Sequence, residues 1–193
     1  MLGLLVLLVA CSPKPITFKQ GYDRIITLDE KYNASFREEI IMDGGTVAPL
    51  ENINAYINDL ESMQSTYKKM PKTNDTLALI NLTIGRTYML ESERYFQLFA
   101  NIGSDGLVKY NFTCSQIGPL SQATNYMEKS MSAANKAIAI FDDLLTLYPE
   151  ITHPVLGTDN DKIKFYDSNL LFLDMEIKRN KLSYQKFCGV LLT

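Results

Sequence analysis

Along most of this chain, apolar residues recur at steps of three, four and seven, the period of one face of an α-helix. Residues 47–70 place Leu50, Ile53, Ile57, Leu60, Tyr67 and Met70 on such a stripe. Pro49 suits the first turn, with Thr46 or a neighbour as cap, and Met70-Pro71 ends the helix because the residue before proline avoids the α region. Residues 74–102 carry Leu77, Ile80, Ile84, Tyr88, Tyr95, Leu98, Phe99 and Ile102, with Asn74 or Asp75 available as cap. Leu79, Leu82, Met89, Leu90 and Phe96 widen the apolar arc, so this helix is expected to be central and the most buried. Gly103-Ser104-Asp105-Gly106 closes it.

A third helix is expected over 119–148. Leu120, Ala123, Met127, Met131, Ala134, Ala137, Ile138, Phe141, Leu144, Leu145 and Tyr148 lie on one side, and Ser130, Ala133, Ala134, Ala137 and Ala139 allow close approach of a neighbour. A last helix over 161–189 follows from Ile163, Tyr166, Leu170, Leu173, Ile177, Tyr184 and Phe187. A weaker stripe of Phe18, Tyr22, Ile25, Tyr32, Phe36 and Ile40 predicts a helix over 18–41, although Ile25-Ile26-Thr27 also suits a strand. Residues 107–118, with Tyr110, Asn111 and Cys114, read as a loop or short extended piece. The expected fold is all-α, an antiparallel bundle of four to five helices joined by short connections.

Composition narrows the class. The chain has 193 residues, 46% hydrophobic and 21% charged, with a net charge of −3. One domain of that size buries a sizeable core, and such a composition does not favour disorder. There is no basic excess to neutralise phosphates, so a nucleic-acid partner is not expected. No apolar run reaches the length of a spanning helix.

The start of the chain is different. Leu2 to Ala10 is almost wholly apolar and Cys11 follows, as in the hydrophobic region of a signal peptide. Leu8-Val9-Ala10-Cys11 resembles the lipobox of prokaryotic lipoproteins. The resemblance implies cleavage before Cys11 and lipid on the new N-terminal cysteine. The basic residue that would precede the apolar run has no counterpart here. The alternative is that residues 2–10 form a buried strand or helical turn. The lipoprotein reading divides the chain into a signal over 1–10, a tether over 11–17 around Ser12-Pro13-Lys14-Pro15, and one helical domain over 18–193. It expects the protein to lie outside the cytoplasm, held to a membrane through Cys11.

With Cys11 lipidated, Cys114 and Cys188 remain as one pair. An oxidising compartment lets them bridge, and two separate buried thiols are the other reading. An up-down bundle brings the start of the 119–148 helix beside the end of the last helix, which places Cys114 and Cys188 at the same end. A bridge there would close a loop of about 75 residues, worth about 2–4 kcal/mol. Asn33, Asn74, Asn81 and Asn111 each begin an Asn-x-Ser/Thr sequon. Asn33, Asn74 and Asn111 are candidate glycosylation sites in a secretory system that glycosylates, whereas Asn81 sits inside a helical pattern.

Two fragments resemble halves of a tetratricopeptide repeat. Ile84-Gly85-Arg86-Thr87-Tyr88 is similar to the first helix's signature, and Ala137, Phe141 and Pro149 to the second's. The fragments are not in register for one repeat, and Asn81 stands at the tryptophan position. The resemblance implies helix-hairpin packing, either in a repeat-like superhelix or in a plain bundle.

Candidates for chemistry are few. His153 lies in an expected loop without partners nearby in sequence. Glu38-Glu39 and Asp142-Asp143 are neighbours that diverge by about 100° on a helix and do not pair. Asp159-Asn160-Asp161 lacks the ligand spacing of a calcium loop and suits a helix cap. Met63, Met70, Met89, Met127, Met131 and Met175 could line an adaptable groove, with core packing the simpler reading. Tyr56, Tyr88, Tyr95, Tyr110, Tyr126 and Tyr166 could form a binding face or sit at the core edge. No nucleophile, phosphate-loop or dinucleotide motif is present, and no metal or cofactor is expected. The expected function is non-enzymatic binding or scaffolding of a protein partner at the cell envelope. The alternatives are a carrier holding a small apolar ligand in a void lined by Phe96, Phe99, Phe141 and Met131, and an unrecognised enzyme.

Overall fold

A computed structural model describes residues 17–34, 47–71, 73–103 and 117–147. It also describes Met175, Lys178, Arg179, Leu182, Gln185, Lys186, Cys188 and Gly189. Four continuous helices are defined, α1 (Phe18–Tyr32), α2 (Leu50–Tyr67), α3 (Asn74–Gly103) and α4 (Ile117–Leu147), and the described residues contain no strand. The protein is an all-α bundle. Among the described residues no helix is long and apolar enough to cross a membrane.

The start of α1 is set by a capping box. Thr17 Oγ1 accepts the Gln20 backbone N–H at 3.3 Å, and Gln20 Oε1 accepts the Thr17 N–H at 2.9 Å. The expected helix over 18–41 instead ends at Tyr32. Asn33 adopts the left-handed conformation at φ 46° and donates its N–H to Asp29 O, which closes the last turn. Asparagine tolerates that conformation, so the helix stops there; Phe36 and Ile40 lie outside the described residues. Phe18 and Tyr22, expected on the inner stripe, are exposed; Ile25, expected there too, is buried, and Gly21 is buried beside it. Any side chain larger than hydrogen at position 21 would run into the Thr76 methyl group, so glycine lets α1 rest on α3.

Both ends of α2 also depart from expectation. Pro49 is the N-cap residue rather than the first turn, with no side-chain cap, and its carbonyl accepts the Asn52 and Ile53 N–H groups. α2 stops at Tyr67, three residues before Met70, and Lys68 to Pro71 form a turn. Thr73, not Asn74 or Asp75, precedes α3. Its carbonyl accepts the Leu77 N–H at 2.8 Å, while its hydroxyl reaches back to the Tyr67 and Met70 carbonyls. One buried threonine therefore ties the end of α2 and the turn after it to the start of α3.

α3 packs on all three of the other helices, the central position its wide apolar arc implies. Leu77, Ile80, Ile84 and Leu90 join Ile25 of α1 and Ile53, Tyr56, Ile57, Leu60, Met63 and Tyr67 of α2 in one core. Ala78, Leu82 and Met89 meet Ala137, Phe141 and Leu144 of α4 in a second. Gly85 lies against the Phe141 ring, so the two repeat-like fragments touch although they are far apart in sequence. One 34-residue repeat is hardly longer than α3 or α4, at 30 and 31 residues. Met175, Lys178, Arg179, Leu182, Gln185, Lys186 and Cys188 are helical, within the expected last helix. Gly189 follows at φ 66°, a left-handed glycine whose N–H bonds Gln185 O and ends that helix. Ile163, Tyr166, Leu170, Leu173, Ile177, Tyr184 and Phe187 lie outside the described residues.

Candidate functional site

The facing sides of α3 and α4 carry a connected set of polar side chains. Its antiparallel register brings two tyrosines of α3, seven residues apart, beside two lysines of α4, also seven apart. Lys136 Nζ lies 4.9 Å from the Tyr88 ring centroid, and Lys129 Nζ 5.6 Å from that of Tyr95. Tyr95 also packs on Tyr126 at 6.2 Å between centroids. Between the two rungs, Ser130 Oγ donates to Ser92 O at 2.8 Å and lies 3.0 Å from Ser92 Oγ, both serines being buried. These small side chains let the helices approach closely enough for the rungs to form.

The electrostatics follow from half-burial. Tyr88 donates to Glu61 Oε1 of α2 at 2.9 Å. Burial first, then the Glu61 bond and the Glu61 and Glu91 charges, push its phenol well above the usual range. Burial, with Glu91 and Tyr126, raises Tyr95 as well. Burial raises the Glu91 carboxyl against the opposing pull of Lys136, and burial raises that of Glu93. The tyrosines are thus held neutral, as ring faces and hydrogen-bond donors rather than acids.

The outer side of α4 bears an open groove of about 540 Å³ lined by Glu128, Met131, Ser132, Asn135, Lys136 and Ala139. Lys136 belongs to both features. Met131, expected on the inner face, lines this groove half-buried. The remaining methionines scatter, with Met63, Met89 and Met127 in the core, Met70 half-buried in the turn after α2 and Met175 exposed, so they do not form one adaptable surface. The four residues proposed to line a void are apart in role. Phe141 is fully buried against Gly85, Phe96 and Phe99 stack at 5.7 Å with Phe96 exposed, and Met131 faces outward.

A second cluster ties α1 to α2. Tyr32 donates to Asp59 Oδ2 at 2.6 Å, Lys31 Nζ meets the same oxygen at 3.0 Å, and Tyr56 donates to Asp29. The Tyr32 bond, then Lys31, holds the Asp59 carboxyl below its usual value. Tyr56 is a core residue here, not part of a binding face.

Cys188 is half-buried and disulfide-bonded. Cys11, Cys114, Asn111, His153, Tyr110, Tyr166, Glu38-Glu39 and Asp159-Asn160-Asp161 lie outside the described residues. Asn33 and Asn74 are exposed, at the end of α1 and the start of α3, while Asn81 is half-buried and accepts from Gln64. Asp142 and Asp143 are exposed on α4. Among the described residues, no group of three or more His, Cys, Asp or Glu side chains could hold a metal ion. Lys129, Lys136, Glu61 and Glu91 were not singled out from sequence; the seven-residue step shared by the tyrosines and lysines was the available signal. No family model, curated protein or solved structure matches this chain.

Proposed function

We propose that the protein is a lipid-anchored, extracytoplasmic helical scaffold that binds a protein partner of the cell envelope. The observation that carries this reading is the disulfide at Cys188. Disulfides persist in oxidising compartments and are rare in the cytosol. Cys114 is its proposed partner, which leaves Cys11 of the lipobox for lipid. The form of the described bundle supports binding over catalysis or carriage. Large side chains such as Tyr56, Leu60 and Phe141 are fully buried in its two cores, its half-buried tyrosines are held neutral, and the groove beside Lys136 lies on open surface. The groove beside Lys136 is the proposed contact for the partner.

Intact mass of the protein from its native membrane fraction, with and without reduction, tests the reading. A chain beginning at Cys11, carrying diacylglycerol and gaining two hydrogens on reduction, is expected. An unprocessed chain with three free thiols overturns it. A photo-crosslinking residue at Asn135 should then capture one envelope protein, and the same residue at Asn74 should not.

A further inference from the structure

We propose that the flank of α1 formed by Phe18, Tyr22 and Ile26 rests in the lipid–water interface of the membrane that holds the anchor. The proposal rests on the lipoprotein reading and adds to it an orientation for the folded domain. The three residues are 51%, 48% and 36% exposed and fall at steps of four, one strip along the helix. Single exposed apolar side chains are ordinary, but three on one strip, two of them aromatic, form a face that no described residue covers. The core-facing side of α1 is already spent on Gly21 and Ile25, so the strip is not surplus core.

What covers it follows from where the chain leaves the fold. Phe18 is seven residues from Cys11, a reach of at most about 25 Å. α3 alone, with 30 residues, is about 45 Å long. A lipid on Cys11 therefore holds this end of the bundle nearest the bilayer. Gly21 against Thr76 sets the start of α1 beside the start of α3, and the antiparallel α4 ends there too. Leu147, at that end of α4, is 65% exposed. Phenylalanine and tyrosine suit the interface because an apolar body can sink while the phenol stays wet. Lys19, Asp23 and Glu30 border the strip on its outer side and keep their charges in the headgroup region, and Arg24 is exposed on the far side of α1.

The chain has no tryptophan, so one introduced residue reports alone. Phe18→Trp, Tyr22→Trp, Ile26→Trp and, as the distant control, Phe96→Trp are prepared in a protein with hexahistidine in place of residues 1–11. Each is bound to phosphatidylcholine vesicles containing a nickel-chelating lipid, with or without lipid bearing a nitroxide high on its acyl chain. Emission from positions 18, 22 and 26 should shift to the blue and fall about twofold with the nitroxide, as expected for burial about 5–10 Å into the interface, and position 96 should change little. Equal, weak quenching at all four positions overturns the proposal. A blue shift that needs no vesicles and grows with protein concentration also overturns it, since a second copy would then cover the strip. The vesicles supply their own anchor, so failure of native acylation appears only in the intact mass and failure of docking only in the quenching.

Discussion

Replacing Gly85 by alanine sets two effects of opposite sign against each other. Alanine favours a helix interior over glycine by about 1 kcal/mol. A Cβ at position 85, however, would stand 2.7 Å from Phe141 Cε1, 3.1 Å from Cζ and 3.2 Å from Cδ1. Phe141 is fully buried, so its ring cannot swing into solvent, and forcing a methyl group into a filled core costs about 1–3 kcal/mol. The clash should win, with Gly85→Ala lowering stability by about 1 kcal/mol and Tm by about 2–4 °C. Phe141→Leu removes the obstructing edge at a cost of about 1–2 kcal/mol. In that background Gly85→Ala should become stabilising by up to about 1 kcal/mol. Urea unfolding followed by circular dichroism, with the disulfide kept oxidised, measures all four corners of the cycle. If Gly85→Ala raises stability equally in both backgrounds, Phe141 does not lie over residue 85 and the α3–α4 register described above is wrong.

Three further outcomes follow from single side chains. The Tyr67 hydroxyl is buried without a hydrogen-bond partner, so Tyr67→Phe should stabilise by about 1 kcal/mol, whereas Tyr56→Phe, which loses the bond to Asp29, should destabilise by a similar amount in the same thermal melt. Ser130→Ala strands the buried Ser92 hydroxyl and should cost about 1–2 kcal/mol in urea, more than Ser92→Ala, which leaves Ser130 bonded to the Ser92 carbonyl. Burial raises the Glu93 carboxyl, so the native state holds its proton to higher pH than the unfolded chain does, and stability falls as pH rises from about 4. Glu93→Gln should therefore raise Tm at pH 7 and leave it unchanged near pH 3, and an equal rise at both would refute burial as the cause.

Much of the fold was legible because α3 must bury two faces. A helix with Leu77, Ile80 and Ile84 on one side and Ala78, Leu82 and Met89 on the other needs neighbours on both, and periodicity alone places it in the centre. The ends were harder. Apolar spacing continues smoothly past Tyr32 to Phe36 and Ile40, but it does not register that Asn33 can take a left-handed conformation and stop the helix. The capping box Thr17-x-x-Gln20 has a readable pattern, but glutamine at the fourth position is common and becomes a cap only once the helix is known to begin at Phe18. At Thr73 the competing caps Asn74 and Asp75 have the stronger propensity. Thr73 stands before the helix instead, buried, with its hydroxyl bonded back to the Tyr67 and Met70 carbonyls.

The tyrosine–lysine rungs show where single-sequence reasoning stops. Tyr88 and Tyr95 stand out as aromatic positions, whereas nothing in the sequence sets Lys129 and Lys136 apart from other charges. Each pair is separated by seven residues, but a shared spacing becomes a contact only once the offset between two helices is known. That offset is set by residues with no chemistry of their own. Gly85 admits the Phe141 ring, and Ser92 and Ser130 admit each other, which fixes how far α4 slides along α3. Moving α4 by one turn, about 5.4 Å, would carry both lysines off both rings at once. The Gly85–Phe141 cycle is therefore also a test of the candidate site. A variant that repacks that contact should disturb the Tyr88 and Tyr95 environments together, readable as a paired change in tyrosine absorbance on alkaline titration.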